Sequence, residues 1–226
     1  MIRSEIERRL IDYNKRYPNQ QVDLVGLSKV RLEPIISPLA VLHHRQGSGL
    51  GPNDSVGYCS VIDHHVSITP PVDLGQFVHI APSVTIGGGN CGSITIGNFS
   101  GIGANSQLYT GSDTPEDVFT VLPHEFGIKK GVGGSIVMES YTAIGCGSFV
   151  APNQFIPEGV FIGVQSRVSS SYAFEPWTIY VNKDKKLVPL RERTIEEKNT
   201  VIEQGRRASE LLEICLAIKK MPPERV

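Results

Sequence analysis

Aliphatic side chains recur at every sixth position through the middle of this chain, and that period leaves few folds open. The series runs through Ile62, Ile68, Leu74, Ile80 and Ile86, then resumes after a glycine-rich insertion at Ile96, Ile102 and Leu108. After a longer interruption it returns at Met138, Ile144, Val150, Ile156, Ile162 and Val168. Four residues after most of these stands a small or β-branched side chain: Val66, Val72, Val78, Val84, Ser100, Ser106, Thr142, Ser148, Val160 and Ser166, with Gln154 departing from the rule. An amphipathic helix spaces apolar residues at three and four and a lone strand at two, so neither sustains a period of six. A β-sandwich would place turn signals at about 8–12 residues without strict register. A β-helix fits: the aliphatic residue fills the interior, the small one fits beside it, and each coil hydrogen-bonds to the next. Glycine often follows the aliphatic residue, as at Gly75, Gly87, Gly97, Gly103, Gly145 and Gly163, which reads as a tight corner favouring a residue without a Cβ.

The chain has 226 residues, 40% of them hydrophobic, enough for one domain of ordinary to large size. A formal net charge of −1 lacks the basic excess that binding to a phosphate backbone requires, which argues against a nucleic-acid partner. The opening MIRSEIERRL carries charges where a secretion signal has its apolar core, and no run reaches the ~18 apolar residues of a membrane span. The expectation is a soluble, cytoplasmic protein without membrane insertion. Cys59, Cys91, Cys146 and Cys215 form no CxxC pair and are expected to be reduced and structural.

Three segments flank or interrupt the repeat. Residues 1–55 are expected to form an N-terminal helix and a small cap: Ile2, Ile6, Leu10, Tyr13 and Tyr17 make an apolar stripe that Pro18 ends. Residues 194–221 read as a C-terminal helix opened by a Thr194–Glu197 capping box, its stripe formed by Ile195, Ile202, Leu211, Cys215 and Ile218. That helix is expected to pack on its own β-helix or on a neighbouring subunit. Between them, 109–137 breaks the period with turn formers and charges and reads as a projecting loop; a loop this long in a compact repeat usually carries function.

The segments HIAPSVTIGGG from His79, IGNFSGIGANSQLYTGSD ending at Asp113, and IPEGVFIGVQSRV followed by EPWTIY are shared, in this order and spacing, with a known family. Over residues 56–193 the chain resembles the hexapeptide-repeat acyltransferases, in particular the bacterial acetyltransferases of polysaccharide and lipopolysaccharide gene clusters. The resemblance implies a left-handed parallel β-helix with three hexapeptides per coil, a homotrimer with sites between subunits, and acetyl-CoA as co-substrate. The function it implies is acetyl transfer to a sugar hydroxyl. The alternatives are N-acetylation of a nucleotide-linked amino sugar and a non-catalytic trimeric scaffold. CoA is implied to lie toward the C-terminal coils, with Gly145, Gly163, Trp177, Lys183 and Lys186 as its binding residues.

Acetyl transfer needs a base for the nucleophile's proton and donors for the developing oxyanion. Of six histidines, His79 directly precedes the inward Ile80, so alternation turns it outward. Counting three hexads per coil, with the glycine insertion as a bulge, puts Gly101 beside His79 on the next coil and leaves space for substrate. His124, next to Glu125 in the long loop, is the second candidate base, and Asp113 could orient a histidine or bind a sugar hydroxyl. His64 and His65 fall on a corner and His43 and His44 in the cap, where solvated roles are expected. A zinc site of the carbonic-anhydrase type would need a close histidine pair, and no HxxxxH follows His79, so no metal is expected.

Overall fold

In a computed structural model the described residues are 2–44, 47–48, 54–112, 132–169 and 171–221. Residues 34–198 build a parallel β-solenoid of about five turns, and residues 1–33 with 199–226 form a second compact unit. The solenoid has three faces. Face 1 stacks the strands Ile35–Ile36, Val61–Ile62, His79–Ile80, Gly101–Ile102, Ala143–Ile144, Phe161–Ile162 and Thr178–Lys183. Face 2 stacks Ser55–Val56, Val72–Leu74, Ile94–Ile96, Ile136–Met138 and Gln154–Ile156. Face 3 stacks Val41–His44, Ser67–Ile68, Thr85–Gly87, Gln107–Tyr109, Phe149–Val150 and Arg167–Val168. The ladder starts earlier than expected, because Ile35–Ile36 pairs with Val61–Ile62 and Val41–Leu42 with Ser67–Ile68. Ile36 and Leu42 are themselves six apart, as are Val56 and Ile62; the insertion between Leu42 and Val56 hides the continuity, so part of the expected cap is first-coil strand.

All fourteen aliphatic positions of the hexad series point inward and are at most 2% exposed. Each such side chain is worth about 1.5–3 kcal/mol on burial, and no single coil can bury its own, so the stack is the unit of stability. Most hydroxyls at the small position are satisfied between coils, although the buried Ser166 Oγ has no hydrogen-bond partner among the described residues. Ser106 Oγ donates to Gly145 O at 3.1 Å while accepting from Ser148 N–H at 3.3 Å, and Ser148 Oγ repeats the pattern with Gly163 O and Ser166 N–H at 3.2 and 3.1 Å. Gln154 is buried in the same way, giving its amide N–H to Tyr172 O at 2.6 Å and accepting from Tyr172 N–H at 3.1 Å.

The glycines after the inward residues stand where the strands end, and they lack room for a Cβ rather than adopting positive φ. A Cβ at Gly145 would lie 2.5 Å from Val164 N, so the next coil passes too close for any side chain. Positive φ recurs at all three corners, at His65, Ser83, Asn105 and Gln165 between faces 1 and 3, at Asn153 and Ser171 between faces 3 and 2, and at Cys59, Phe77, Phe99, Tyr141 and Trp177 between faces 2 and 1. A left-handed non-glycine residue costs roughly 1–2 kcal/mol. At the corner between faces 2 and 1 stacking offsets it: Phe77 on Phe99 at 4.8 Å, Phe99 on Tyr141 at 5.3 Å, and Tyr141 facing Trp177 at 6.0 Å. Gly159, at φ +71°, takes the same corner in the coil between Tyr141 and Trp177; a Cβ there would meet the Trp177 indole at 2.2 Å.

The solenoid's long insertion opens and closes as a two-stranded antiparallel ribbon, Gly111–Ser112 with Val132–Gly133. Residues 113–131, with Asp113 and His124, lie outside the described residues.

The second unit is helical. Helix α1 spans Ile2–Arg16, α2 Leu24–Ser28 and α3 Ile195–Lys219, of which the part from Asn199 onward belongs to this unit. Ile6, Leu10 and Tyr13 of α1 are buried, as are Leu27, Leu32, Leu212, Ile214, Cys215 and Ile218. Ion pairs Arg9–Glu213 (2.8 Å) and Arg16–Glu210 tie α1 to α3. The capping box forms: Thr194 N–H donates to Glu197 Oε2 at 2.7 Å and Glu197 N–H to Thr194 Oγ1 at 3.1 Å. The expected α3 stripe holds at Cys215 and Ile218, which are buried, but not at Ile195 and Ile202, 77% and 43% exposed, while Gly205, Leu212 and Ile214 are buried instead. The ion pairs from α1 reach α3 at Glu210 and Glu213, in its C-terminal half.

Candidate active site

His79 sits where alternation puts it. Its neighbour Ile80 is fully buried, its N–H donates to Ser100 O at 3.0 Å, and its imidazole is 57% exposed on face 1. The register pairs His79 with Val61 on the preceding coil and Gly101 on the following one, as the hexad count expects. Gly101 differs from the other face 1 glycines. A Cβ added there would meet nothing closer than His79 O at 3.5 Å, so the stacking does not demand a glycine, and its absence of a side chain leaves open space beside the imidazole.

Asp63 completes the arrangement, and the sequence reading missed it. It lies one strand position beyond Ile62 and its N–H donates to Ile80 O at 3.0 Å, which fixes its backbone against the histidine coil. Its carboxylate oxygen Oδ2 is 2.8 Å from His79 Nε2. The signal was present in the numbering: 79 minus 63 is one 18-residue coil less two, the diagonal neighbour on one outward surface, within reach of both side chains.

From this pair, two columns of small residues run along face 1. Gly101 and Ala143 continue the His79 column until Phe161, 37% exposed, and Ala81, Gly103, Gly145 and Gly163 continue the Asp63 column. The result is a shallow lane floored by backbone and methyl groups, leading from the histidine toward the C-terminal coils.

No protein-family model matches the chain. It is 26% identical over 133 residues to an Escherichia coli protein, dTDP-4-amino-4,6-dideoxy-D-glucose acyltransferase, covering 58% of this chain and 66% of that relative. The match therefore spans just under two thirds of the relative's length. Among solved structures, AntD, an N-acyltransferase from Bacillus cereus, in complex with dTDP and 3-hydroxybutyryl-CoA, superposes with a TM-score of 0.62 at 20% identity, covering 85% of this chain and 97% of that one. A point mutant of AntD with dTDP-4-amino-4,6-dideoxyglucose and coenzyme A gives a TM-score of 0.61 at 22% identity, covering 81% and 97%. With the hexad and the parallel coils, these likenesses show one fold. The chain has the β-solenoid fold of AntD and is similar over part of its length to a sugar acyltransferase.

In this hexapeptide-repeat protein the remaining site residues named from sequence are scattered. Gly145 and Gly163 floor the lane, and a Cβ on Gly163 would come within 3.2 Å of Tyr180 O. Trp177 closes the aromatic corner, with the Arg193 guanidinium 5.8 Å from its ring; burial pulls the Arg193 pKa below its usual value. Lys183 and Lys186 face each other at the tip of the antiparallel hairpin Thr178–Lys183 and Lys186–Glu192. Its turn residues Asp184 and Lys185 have φ 49° and 65°, the geometry a tight two-residue hairpin needs. Neither lysine belongs to an ion pair among the described residues. His64 and His65 lie exposed at the corner after Val61–Ile62, their rings edge to face at 5.2 Å. Among the described residues no three His, Cys, Asp or Glu side chains converge as metal ligands, and no helix is long and apolar enough to cross a membrane.

Proposed function

We propose that this protein transfers an acyl group from acyl-CoA to the amino group of a dTDP-linked amino sugar, with His79 as general base. The observation that carries this reading is the exposed His79 imidazole beside a glycine that the fold does not require. The E. coli relative is named for an amino sugar, which favours nitrogen over the hydroxyl acceptor first expected from the sequence. AntD was crystallised with 3-hydroxybutyryl-CoA, which widens the donor from acetyl-CoA to acyl-CoA. In the reaction the amine attacks the thioester carbon, the C–N bond forms, His79 takes the proton from nitrogen, and the C–S bond breaks to release CoA. The columns from Ala81 to Gly145 carry no side chain larger than a methyl group and offer pantetheine a path toward the C-terminal coils, and Lys183 and Lys186 at the hairpin tip offer charge to the 3′-phosphate.

His124 and Asp113 remain candidates for contacting the acceptor from the long loop. A homotrimer is supported by the apolar exterior: Phe155 is 54% exposed on face 2 and Phe161 37% on face 1, and such surface seeks cover. A cytoplasmic enzyme of surface-polysaccharide biosynthesis accords with an acceptor of this kind. The test is release of free thiol from acetyl-CoA with dTDP-4-amino-4,6-dideoxyglucose and, in parallel, dTDP-glucose. Release with the amino sugar alone is expected. Equal release with both would return the hydroxyl as acceptor, and release with neither would overturn the proposal.

A further inference from the structure

We infer that Asp63 is a positioning residue that holds His79 as the Nε2–H tautomer, so that Nδ1 is the nitrogen that accepts the substrate's proton; this rests on the reading of His79 as the base. A neutral imidazole carries one proton and one free lone pair, and only the unprotonated nitrogen can act as base. An ionised carboxylate has no hydrogen to give. Asp63 Oδ2 lies 2.8 Å from Nε2, so in that contact Nε2 donates and Nδ1 is left with its lone pair.

The geometry gives Asp63 a second effect. His79 is more than half exposed, and its ring has no other side-chain hydrogen bond among the described residues. An imidazole so exposed would otherwise exchange rotamers and tautomers freely. Asp63 is placed to prevent this because its own backbone is fixed in the ladder through the bond to Ile80 O. When Nδ1 takes a proton, the imidazolium stands against a carboxylate already in place, and no group has to move to meet the new charge. The arrangement links two coils through side chains that the hexad turns outward, where neither fills the core.

The experiment uses the full-length protein with acetyl-CoA and dTDP-4-amino-4,6-dideoxyglucose, comparing Asp63→Ala, Asp63→Asn, Asp63→Glu and His79→Ala. Asp63→Ala should lower kcat about tenfold or more, a share of the ~100–10,000-fold that general-base catalysis supplies, with little change in KM for either substrate. Asp63→Glu should recover part of the loss. In protein labelled with ¹⁵N-histidine, the His79 shifts in the wild type should be those of a protonated Nε2 and a free Nδ1. In Asp63→Ala the two should converge as the tautomers mix. Unchanged shifts or full kcat in both Asp63→Ala and Asp63→Asn, with His79→Ala inactive, would overturn the role of Asp63 and leave His79 as base. Full turnover in His79→Ala would instead overturn the base itself, while the nitrogen shifts still report whether Asp63 sets the tautomer.

Discussion

The two sides of face 1 are built from alternate residues of the same strands and obey different rules. Inward, Ile62, Ile80, Ile102, Ile144 and Ile162 repeat one residue type at no more than 2% exposure. Outward, their immediate neighbours are Val61, His79, Gly101, Ala143 and Phe161, which share neither size nor polarity. Packing sets the first column, because every coil must fill the same cross-section. Nothing in the stacking sets the second, and there a side chain, or the lack of one, can be chosen for chemistry. A solenoid thus separates stability and reactivity by a single residue along the chain.

The sharpest way to break that separation is His79→Ala. Turnover should fall ~100–10,000-fold while unfolding free energy changes by less than about 0.5 kcal/mol, since an outward imidazole fills no core. Steady-state kinetics with a denaturant melt of the same preparation checks both; a strongly destabilised variant would mean that the outer column also carries the fold. Ile80→Ala is the mirror experiment one residue on, expected to cost ~2–5 kcal/mol by urea unfolding through loss of burial and the cavity left behind.

Gly101→Ala sharpens the contrast within the outer column. Its Cβ meets only His79 O at 3.5 Å, so stability should hold or rise by about 0.4–1 kcal/mol, whereas turnover should drop by up to ~100-fold as substrate is displaced by about an ångström. A variant with full activity would show that the space beside His79 is not used. Charge reversal of Lys183 and Lys186 should weaken CoA more than dephospho-CoA in a calorimetric titration, because the attraction lost is to the 3′-phosphate. Equal weakening would remove the hairpin tip from the CoA site.

The smallest effect lies away from face 1, at the start of α3. The Arg191 side chain, then the Thr194 N–H, hold the Glu197 carboxyl at a pKa of about 2, down from 4.5. The folded value is the lower one, so the contribution is complete above about pH 4.5 and is lost as the pH falls toward 2. Carboxyl NMR should place the Glu197 midpoint near 2 and, in Arg191→Ala, move it back toward 4.5. A midpoint unmoved by that substitution would deny Arg191 its part.

Much of the face that carries His79 was legible because a hexad is a statement about direction. Ile80 inward makes His79 outward, and counting coils across the glycine insertion finds Gly101. The first coil was not legible in the same way, since the insertion after Leu42 interrupts the count before it is established. The α3 stripe misled for a different reason. Helical periodicity names a face that can be buried, but only packing decides how much of it is: Cys215 and Ile218 are buried while Ile195 and Ile202 stay exposed. The sequence does not show that the Trp177 indole lies over Gly159 and ends the aromatic corner, because that stacking is made between coils.

By itself, then, the sequence determined the solenoid, its inward column and the outward placement of His79, because side-chain alternation is local to each strand and needs no knowledge of what lies above or below. Tertiary structure decided which outward residues meet. Asp63 reaches His79 across coils on a diagonal, and the lane of small residues exists only once five coils are stacked in register. Contacts between coils depend on the lengths of insertions and the reach of side chains, and neither is written into the period.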